Sequence, residues 1–332
     1  VERYRRRLGQ IIDIERKRTV TPLNALSDAG QAIWLDYIRR DILDDGTLAR
    51  YISDLCVTGL TSNPSIFDKA ITGTDLYDAS ISGTDAEAVF FDLALDDLTR
   101  AADLLRTSWD VSDGMDGCVS LEVSPLLAAD ATTTIEQGTE LFNRADRPNL
   151  MIKVPGTPES PEAIEELIFR GINVNVTLLF DEAQYRRAAE AYISGIRRRV
   201  KAGLDPRVFS VASVFISRWD TPTADLVDSS LANRLGIACG VRCHRACEEI
   251  FGEAFADLAS QGARRQKLLM ASTSTKDPAL PDTLYISELA AADSINTIPE
   301  PTLLAFADHG TVDGVLGADH WSEADQVIAG FE

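Results

Sequence analysis

Short apolar runs alternate along the chain with longer stretches in which apolar residues recur every three to four positions. Eight of the short runs predict strands: Ala32–Ile38, Gly59–Asn63, Cys118–Val123, Leu150–Val154, Ile172–Leu179, Phe209–Ile216, Lys267–Thr273 and Asp293–Pro299. The stretches with helical spacing include Asp85–Thr107, Thr132–Ala145, Pro161–Arg170, Asp181–Ala202, Asp225–Ala259 and Pro301–His309. Strands that alternate with helices predict a parallel sheet, because two parallel strands need a crossover connection between them.

The number of strand–helix units favours a closed barrel. Eight units in 332 residues are typical of a (β/α)8 TIM barrel of the α/β class. A doubly wound open sheet is the alternative, and it is disfavoured because no Gly-x-Gly-x-x-Gly turn follows any predicted strand. No Pro/Gly/Ser-rich linker divides the chain, so we predict one barrel domain over residues 1–332. Residues 1–20 carry seven Arg and Lys and predict an extra N-terminal helix, a basic arm with a solvated surface.

Polar residues recur on one face of the predicted strands, near their carboxyl ends. In the fourth strand, Leu150, Ile152 and Val154 share one face and leave Lys153 on the other. The same reading places polar side chains on the inward face or at the end of further strands: Asp36, Asn63, Ser120, Glu122, Asn173, Asn175, Thr177 and Ser213. Barrel enzymes build their sites at this end of the barrel. A set of structural ion pairs is the alternative, but so many convergent polar groups favour a site.

Lys153 is the most informative of these residues. A lysine inside a barrel among carboxylates can clamp a phosphate, or it can attack a carbonyl carbon and form a Schiff base while a carboxylate shuttles protons. The three histidines, His244, His309 and His320, lie at no inward strand position. We therefore predict neither a metal ion nor any other cofactor.

The net charge and the cysteine content indicate which partners are disfavoured and in which cell compartment the protein is expected. Asp and Glu number 52 against 32 Lys and Arg, which gives a net charge of −20 and disfavours nucleic acid as a partner. No apolar stretch is long enough to span a membrane. The five cysteines are an odd number without a paired framework, which is typical of a reducing, cytoplasmic protein. Three of them, Cys239, Cys243 and Cys247, share one helical face beside His244 and predict buried free thiols rather than a metal site.

Seven motifs, in order, resemble the transaldolase family, in its longer bacterial branch. Three carry most of the resemblance: Thr61-Ser-Asn-Pro-Ser65, Met151-Ile-Lys-Val-Pro-Gly-Thr157 and Gly171-Ile-Asn-Val-Asn-Val-Thr-Leu-Leu-Phe180. The others are Trp34-Leu-Asp36, Ser120-Leu-Glu-Val123, Ser213-Val-Phe-Ile-Ser-Arg218 and Ala271-Ser-Thr-Ser-Thr-Lys276. The chain departs from the family at Ser62, where Thr is usual, and it carries Lys276 where some branches have Arg.

The resemblance implies a class I aldolase-type barrel and a role for each polar residue. Lys153 would form the Schiff base with a ketose phosphate, and Asp36 would take the proton from the hydroxyl on carbon 4. Glu122 would shuttle protons with Thr177 through a water. The dihydroxyacetone unit would be held by Asn63, Asn175 and Ser213. The sugar phosphate would be bound by Arg218, Ser274 and Lys276.

The implied function is transfer of a dihydroxyacetone unit between sugar phosphates, as in the non-oxidative pentose phosphate pathway. Two alternatives stay open. The first is a related Schiff-base aldolase or transferase with another acceptor, and the second is a barrel that binds sugar phosphate without catalysis. The intact set of Lys153, Glu122 and Asp36 disfavours loss of catalysis, and Glu122 favours transfer over simple aldol cleavage. The expected partners are small sugar phosphates, and the expected assembly is a monomer or a homodimer.

Overall fold

The computed structural model describes residues 21–223, 226–228 and 230–331. The strands are β1 (Gln31–Asp36), β2 (Val57–Thr61), β3 (Val119–Glu122), β4 (Leu150–Pro155), β5 (Val174–Leu179), β6 (Ser210–Phe215), β7 (Lys267–Ala271) and β8 (Ser294–Ile298). Each strand pairs in parallel with the next, and β8 pairs with β1, so the sheet is a closed eight-stranded barrel. The prediction of eight strands in a (β/α)8 barrel is therefore confirmed. The predicted basic arm over residues 1–20 lies outside the described residues.

Helices surround the barrel and connect its strands. Before β4 lie α1 (Pro22–Asp28), α2 (Arg40–Asp44), α3 (Thr47–Asp54), α4 (Pro64–Thr72), α5 (Ala86–Leu104), α6 (Arg106–Val111) and α7 (Ala131–Ala145). After β4 lie α8 (Pro161–Phe169), α9 (Glu182–Lys201), α10 (Asp220–Thr223), α11 (Leu235–Phe251), α12 (Ala256–Ser260), α13 (Leu284–Glu288), α14 (Glu300–His309) and α15 (Ala318–Ala329). No helix formed by the described residues is long and apolar enough to cross a membrane.

The helix α9 shows how local sequence sets these elements. The Asp181 carboxylate accepts a hydrogen bond from the Gln184 N–H and caps the first turn, because the first helical N–H groups have no partner within the helix. Tyr185, Ala188 and Tyr192 are buried at helical spacing, and so they turn one face toward the barrel. Basic residues occupy the last turn, where they complement the helix dipole.

The stretch Asp225–Ala259, predicted as helical, is not one helix, and Asp225 itself lies outside the described residues. The helix α11 begins only at Leu235, and the described residues before it form turns that include Asn233 at φ 60°. At its other end Gly252 interrupts the helix, and α12 follows as a separate piece after a 3₁₀ turn. Left-handed backbone and glycine both break an α-helix, and helical spacing alone does not reveal such breaks.

Apolar side chains, several of them large, pack together in the interior of the barrel. This cluster consists of Trp34, Cys118, Met151, Phe209, Val211, Leu269, Ala271 and Ile295. A Cβ at Gly59 would lie only 2.4 Å from the Trp34 ring, so glycine is needed there for the indole to cross the barrel. This apolar cluster fills much of the interior between the two ends of the strands.

Candidate active site

A cavity of about 600 Å³ opens at the carboxyl ends of the strands. Its lining consists of Asp36, Thr61, Asn63, Lys153, Thr177, Ser213, Phe215, Arg218, Ala271, Ser272, Ser274, Lys276, Thr297 and Pro299. Eight of the ten residues expected at a site are among them. The other two, Glu122 and Asn175, contact lining residues directly. The structure therefore brings all ten predicted residues together.

Lys153 lies on β4 and points into the barrel, where it is only 6% exposed. The strand register places Glu122 of β3 opposite Lys153, and the Lys153 Nζ is 3.0 Å from Glu122 Oε2. The same Nζ donates a hydrogen bond of 3.1 Å to the Ser62 carbonyl. The pairing of adjacent strands thus sets an amine and a carboxylate in direct contact inside the barrel.

Asp36 ends β1 and lines the same cavity. Thr61 Oγ1 donates a hydrogen bond of 2.7 Å to Asp36 Oδ1 and lies 2.6 Å from the Thr297 hydroxyl. Burial raises the pKa of Asp36, and the positive charge of Lys153 and the Thr61 hydrogen bond oppose that rise. A carboxylate with a raised pKa is a stronger base, which suits proton removal from a hydroxyl group.

The inward residues of β5 and β6 form a chain of side-chain hydrogen bonds. Ser213 Oγ donates to Asn175 Oδ1 over 2.7 Å, and Asn175 Nδ2 donates to Ser120 Oγ over 3.1 Å. Thr177 is fully buried, and its hydroxyl has no hydrogen-bond partner among the described residues. A buried hydroxyl without a protein partner, on the wall of a cavity, is typical of a group that serves a ligand or a water.

Asn63 has a double role in the fold and the cavity. It directly follows β2 and caps α4, since its Oδ1 accepts a hydrogen bond of 3.0 Å from the Ile66 N–H. The cap uses the side-chain oxygen, so the amide Nδ2 is the group left to donate to a ligand. The cap thereby fixes the direction in which Asn63 can donate.

Two cationic side chains stand at the rim of the cavity. Arg218 lies in a 3₁₀ turn just after β6, and Lys276 follows β7 and donates to Ser274 Oγ over 2.8 Å. Neither cation makes an ion pair with another described residue. Partial burial lowers the pKa of Lys276, and the Arg218 charge beside it adds to that effect. Two cations and a hydroxyl without a carboxylate partner can together bind a phosphate group.

Sequence reasoning missed several lining residues. Thr297 follows the rule that found the others, because it is an inward polar residue near the carboxyl end of β8. Phe215 and Pro299 carry no comparable signal, since an apolar residue at a strand end equally fits the core. Of the residues discussed above, Asn173 faces inward but does not line the cavity.

The cysteines of α11 pack into the core. Cys239, Cys243 and Cys247 are buried and free, as predicted. Within the part of the chain that the structure describes, no three His, Cys, Asp or Glu side chains are grouped so that they could hold a metal ion.

Comparison with known proteins points to one family. The family model for transaldolase/fructose-6-phosphate aldolase matches residues 33–330. A transaldolase of Frankia alni is 44% identical over 322 residues, which cover 93% of this chain and 87% of that protein. A transaldolase of Thermobifida fusca is 42% identical over 318 residues, with 92% and 86% covered. A transaldolase of Mycolicibacterium smegmatis is 42% identical over 306 residues, with 88% and 82% covered.

Among solved structures, a putative 2,5-diketo-D-gluconic acid reductase B superposes with a TM-score of 0.39 at 11% identity, over 89% of this chain and 87% of that one. This likeness is too weak to support an argument. The family model and the three relatives extend over nearly the whole barrel, and their agreement is independent of the site geometry. The chain belongs to the transaldolase/fructose-6-phosphate aldolase family.

Proposed function

We propose that the chain transfers a dihydroxyacetone unit from a ketose phosphate to an aldose phosphate through a Schiff base on Lys153. The donors are sedoheptulose 7-phosphate or fructose 6-phosphate, and the acceptors are glyceraldehyde 3-phosphate or erythrose 4-phosphate, as in the non-oxidative pentose phosphate pathway. The observation that carries this proposal is the 3.0 Å contact between Lys153 Nζ and Glu122 Oε2 inside the cavity. The relatives named transaldolase support the same reaction.

Imine formation is the first step. Glu122 accepts a proton from the Lys153 ammonium group, and the free amine attacks the C2 carbonyl carbon of the donor. The resulting carbinolamine loses its hydroxyl as water when Glu122 returns a proton. The Thr177 hydroxyl, which has no partner among the described residues, holds the water through which this proton passes. The product is an iminium ion between Lys153 and C2 of the sugar.

Carbon–carbon cleavage follows at the other carboxylate. Asp36 takes the proton from the C4 hydroxyl, the C3–C4 bond breaks, and its electron pair moves into the iminium group to give an enamine. The aldose phosphate leaves as an aldehyde. The acceptor aldehyde then reacts with the enamine, and Asp36 returns the proton to the new hydroxyl. Hydrolysis of the iminium ion releases the new ketose, so two carboxylates in different surroundings divide the proton transfers.

Binding groups complete the proposal. Asn175, Ser213 and the Asn63 amide hold the hydroxyls of the dihydroxyacetone unit, and Arg218, Ser274 and Lys276 bind the phosphate at the rim. All these side chains belong to one chain, so the proposed site is complete in a monomer and is present twice in a homodimer. The free thiols of Cys118, Cys239, Cys243 and Cys247 support a reducing compartment, and we place the reaction in the cytoplasm.

Borohydride trapping tests the proposed chemistry. Reduction in the presence of fructose 6-phosphate converts an imine into a stable amine, so peptide mapping should find the adduct on Lys153. Lys267 of β7, which pairs with Asp293 at 3.2 Å, is the internal control and should stay unmodified. An adduct on Lys267 or Lys276 instead of Lys153 would overturn the proposal.

A further inference from the structure

The two cations of the proposed phosphate site come from different strands. Arg218 lies in the turn that leaves β6, and Ser274 and Lys276 lie in the segment that leaves β7. Two neighbouring cations repel each other, and the Arg218 charge adds to the burial that lowers the pKa of Lys276. Something in the fold must therefore keep both cations within reach of one anion.

The segment that carries Lys276 is bonded to the β6 exit at both of its ends. At the start, Ser272 accepts a hydrogen bond of 3.1 Å from the Ser217 N–H, and the two hydroxyls lie 3.0 Å apart. At the other end, the Tyr285 hydroxyl of α13 donates to Asp220 Oδ2. Asp220 begins α10, two residues after Arg218, so both contacts reach the turn that holds Arg218.

Burial makes the second contact a strong constraint. Asp220 is 5% exposed and Tyr285 is fully buried, and neither group can exchange this hydrogen bond for one to bulk water without moving. Asp220 Oδ1 is buried without a hydrogen-bond partner among the described residues. Burial raises the pKa of Asp220, and the positive charge of Lys276 opposes that rise.

We infer that the Asp220–Tyr285 hydrogen bond is a brace that sets the spacing of Arg218 and Lys276. Asp220 and Tyr285 are therefore positioning residues for the phosphate of the substrate. This inference rests on the proposed function. Neither side chain lines the cavity, so each acts through the cations and not by touching the sugar phosphate.

The fold supplies a matched control at the opposite end of the same two strands. Tyr192 is also a fully buried tyrosine, and its hydroxyl donates to the Val208 carbonyl over 3.0 Å and to the Arg264 carbonyl. Val208 precedes β6 and Arg264 precedes β7, so this hydroxyl ties together the amino ends of the two strands. Tyr192→Phe and Tyr285→Phe thus each remove one buried hydroxyl, and the two hydroxyls bond to segments that flank β6 and β7 at opposite ends of these strands.

The experiment compares wild type, Tyr285→Phe and Tyr192→Phe in three measurements. They are the affinity for inorganic phosphate by calorimetry, KM and kcat for fructose 6-phosphate, and the rate of borohydride trapping with unphosphorylated dihydroxyacetone. Loss of a hydrogen bond to a charged group predicts that Tyr285→Phe weakens phosphate binding and raises KM about tenfold. Its kcat and its trapping rate should match wild type, and Tyr192→Phe should change none of these values.

Equal phosphate affinity in Tyr285→Phe and wild type would overturn the brace, and so would equal losses in the two tyrosine variants. Absence of trapping in wild type would instead contradict the Schiff base itself, because calorimetry reports phosphate binding without turnover. A double-mutant cycle adds a second test. If the brace is correct, Asp220→Ala/Tyr285→Phe should have the KM of the worse single variant, whereas multiplied effects would show that the two residues act independently.

Discussion

The two ends of the barrel bury polar side chains on the same inward face, but they bond them differently. At the amino end, Asn173 uses its whole amide on backbone, donating to the Pro148 carbonyl over 2.7 Å and accepting from the Phe209 N–H over 2.9 Å. Further along the same face, Asn175 bonds to two serine side chains, and the Thr177 hydroxyl has no partner among the described residues. The backbone bonds occupy both polar atoms of the Asn173 amide, whereas the Thr177 hydroxyl keeps its capacity for a ligand or a water.

Two partly buried aspartates repeat this contrast. Asp116 at the amino end accepts from Trp34 Nε1 and from the Gly117 N–H, both over 2.8 Å. Asp36 at the carboxyl end accepts from the Thr61 hydroxyl and faces the cavity. Burial raises the pKa of both carboxyl groups. A raised pKa therefore does not separate site from scaffold here, and access to the cavity does.

The largest effect is expected at the nucleophile. Lys153→Arg keeps a positive charge but removes the amine that forms the imine, so turnover and borohydride trapping should both disappear while the thermal transition persists. Lys267→Arg makes the same change in a lysine at the amino end of β7 and should retain both. Residual trapping in Lys153→Arg would refute the role of Lys153.

Replacement of each carboxylate of the site should slow a different step of the reaction. Asp36→Asn should still form the imine and accumulate the trapped donor adduct, with turnover lowered by about 100- to 10,000-fold, as is typical for a lost general base. Glu122→Gln should slow imine formation itself, which rapid-quench trapping measures. Asp116→Asn, the control at the amino end, should lower stability and keep turnover. If Asp36→Asn and Glu122→Gln trapped the same species at the same rate, the proposed division would be wrong.

Loss of a phosphate-binding cation should appear in KM. Arg218→Ala removes a charge-assisted contact of about 1.5–3 kcal/mol, which corresponds to a rise in KM of roughly 10- to 150-fold for phosphorylated donors. Unphosphorylated fructose and dihydroxyacetone should be affected little. Equal losses with phosphorylated and unphosphorylated donors would point to a structural role for Arg218.

The hydrogen bond from Thr61 to Asp36 should influence the pH at which kcat falls on the acid side of its profile. The Thr61 hydrogen bond stabilises the charged carboxylate and lowers its pKa, so Thr61→Val should raise that pKa. Since Asp36 must be deprotonated to act as the base, the acid limb of kcat should move to higher pH in Thr61→Val. Thr58→Val, next to Asp116 at the amino end, should leave the profile in place. A profile that moves to lower pH in Thr61→Val would exclude Asp36 as the base.

The smallest effect on catalysis is expected at Asn173. Asn173→Ala leaves the buried Phe209 N–H without its acceptor, so the free energy of unfolding should fall by about 1–3 kcal/mol, as denaturant titration would measure. The kcat of the folded variant should equal that of wild type. Asn175→Ala, two residues along the same face, should lower activity, and an equal loss in Asn173→Ala would remove the contrast between the two ends.

Most of the barrel and of its polar face could be predicted because strands alternate strictly. Within each strand, every second residue faces the interior. Applied strand by strand, that rule found Lys153, Asp36, Glu122 and Asn175. Strict alternation does not hold where the strand backbone is irregular, as at the end of β5. Leu178 adopts φ 58° and the β5–β6 register shifts beside it. The residues before α11 also keep a helical spacing of apolar positions, so the sequence pattern did not reveal the turns that they form.

The sequence by itself determined which residues face the interior and, through its motifs, which family the chain resembles. These properties depend on local alternation and on the order of residues along the chain. Only the tertiary structure decided how deep each inward residue lies and what it meets there. Asn173 and Asn175 have the same residue type and face, yet one bonds backbone and the other bonds Ser120, 55 positions away. The Asp220–Tyr285 hydrogen bond spans 65 positions, and it exists because closure of the barrel brings the exits of β6 and β7 side by side.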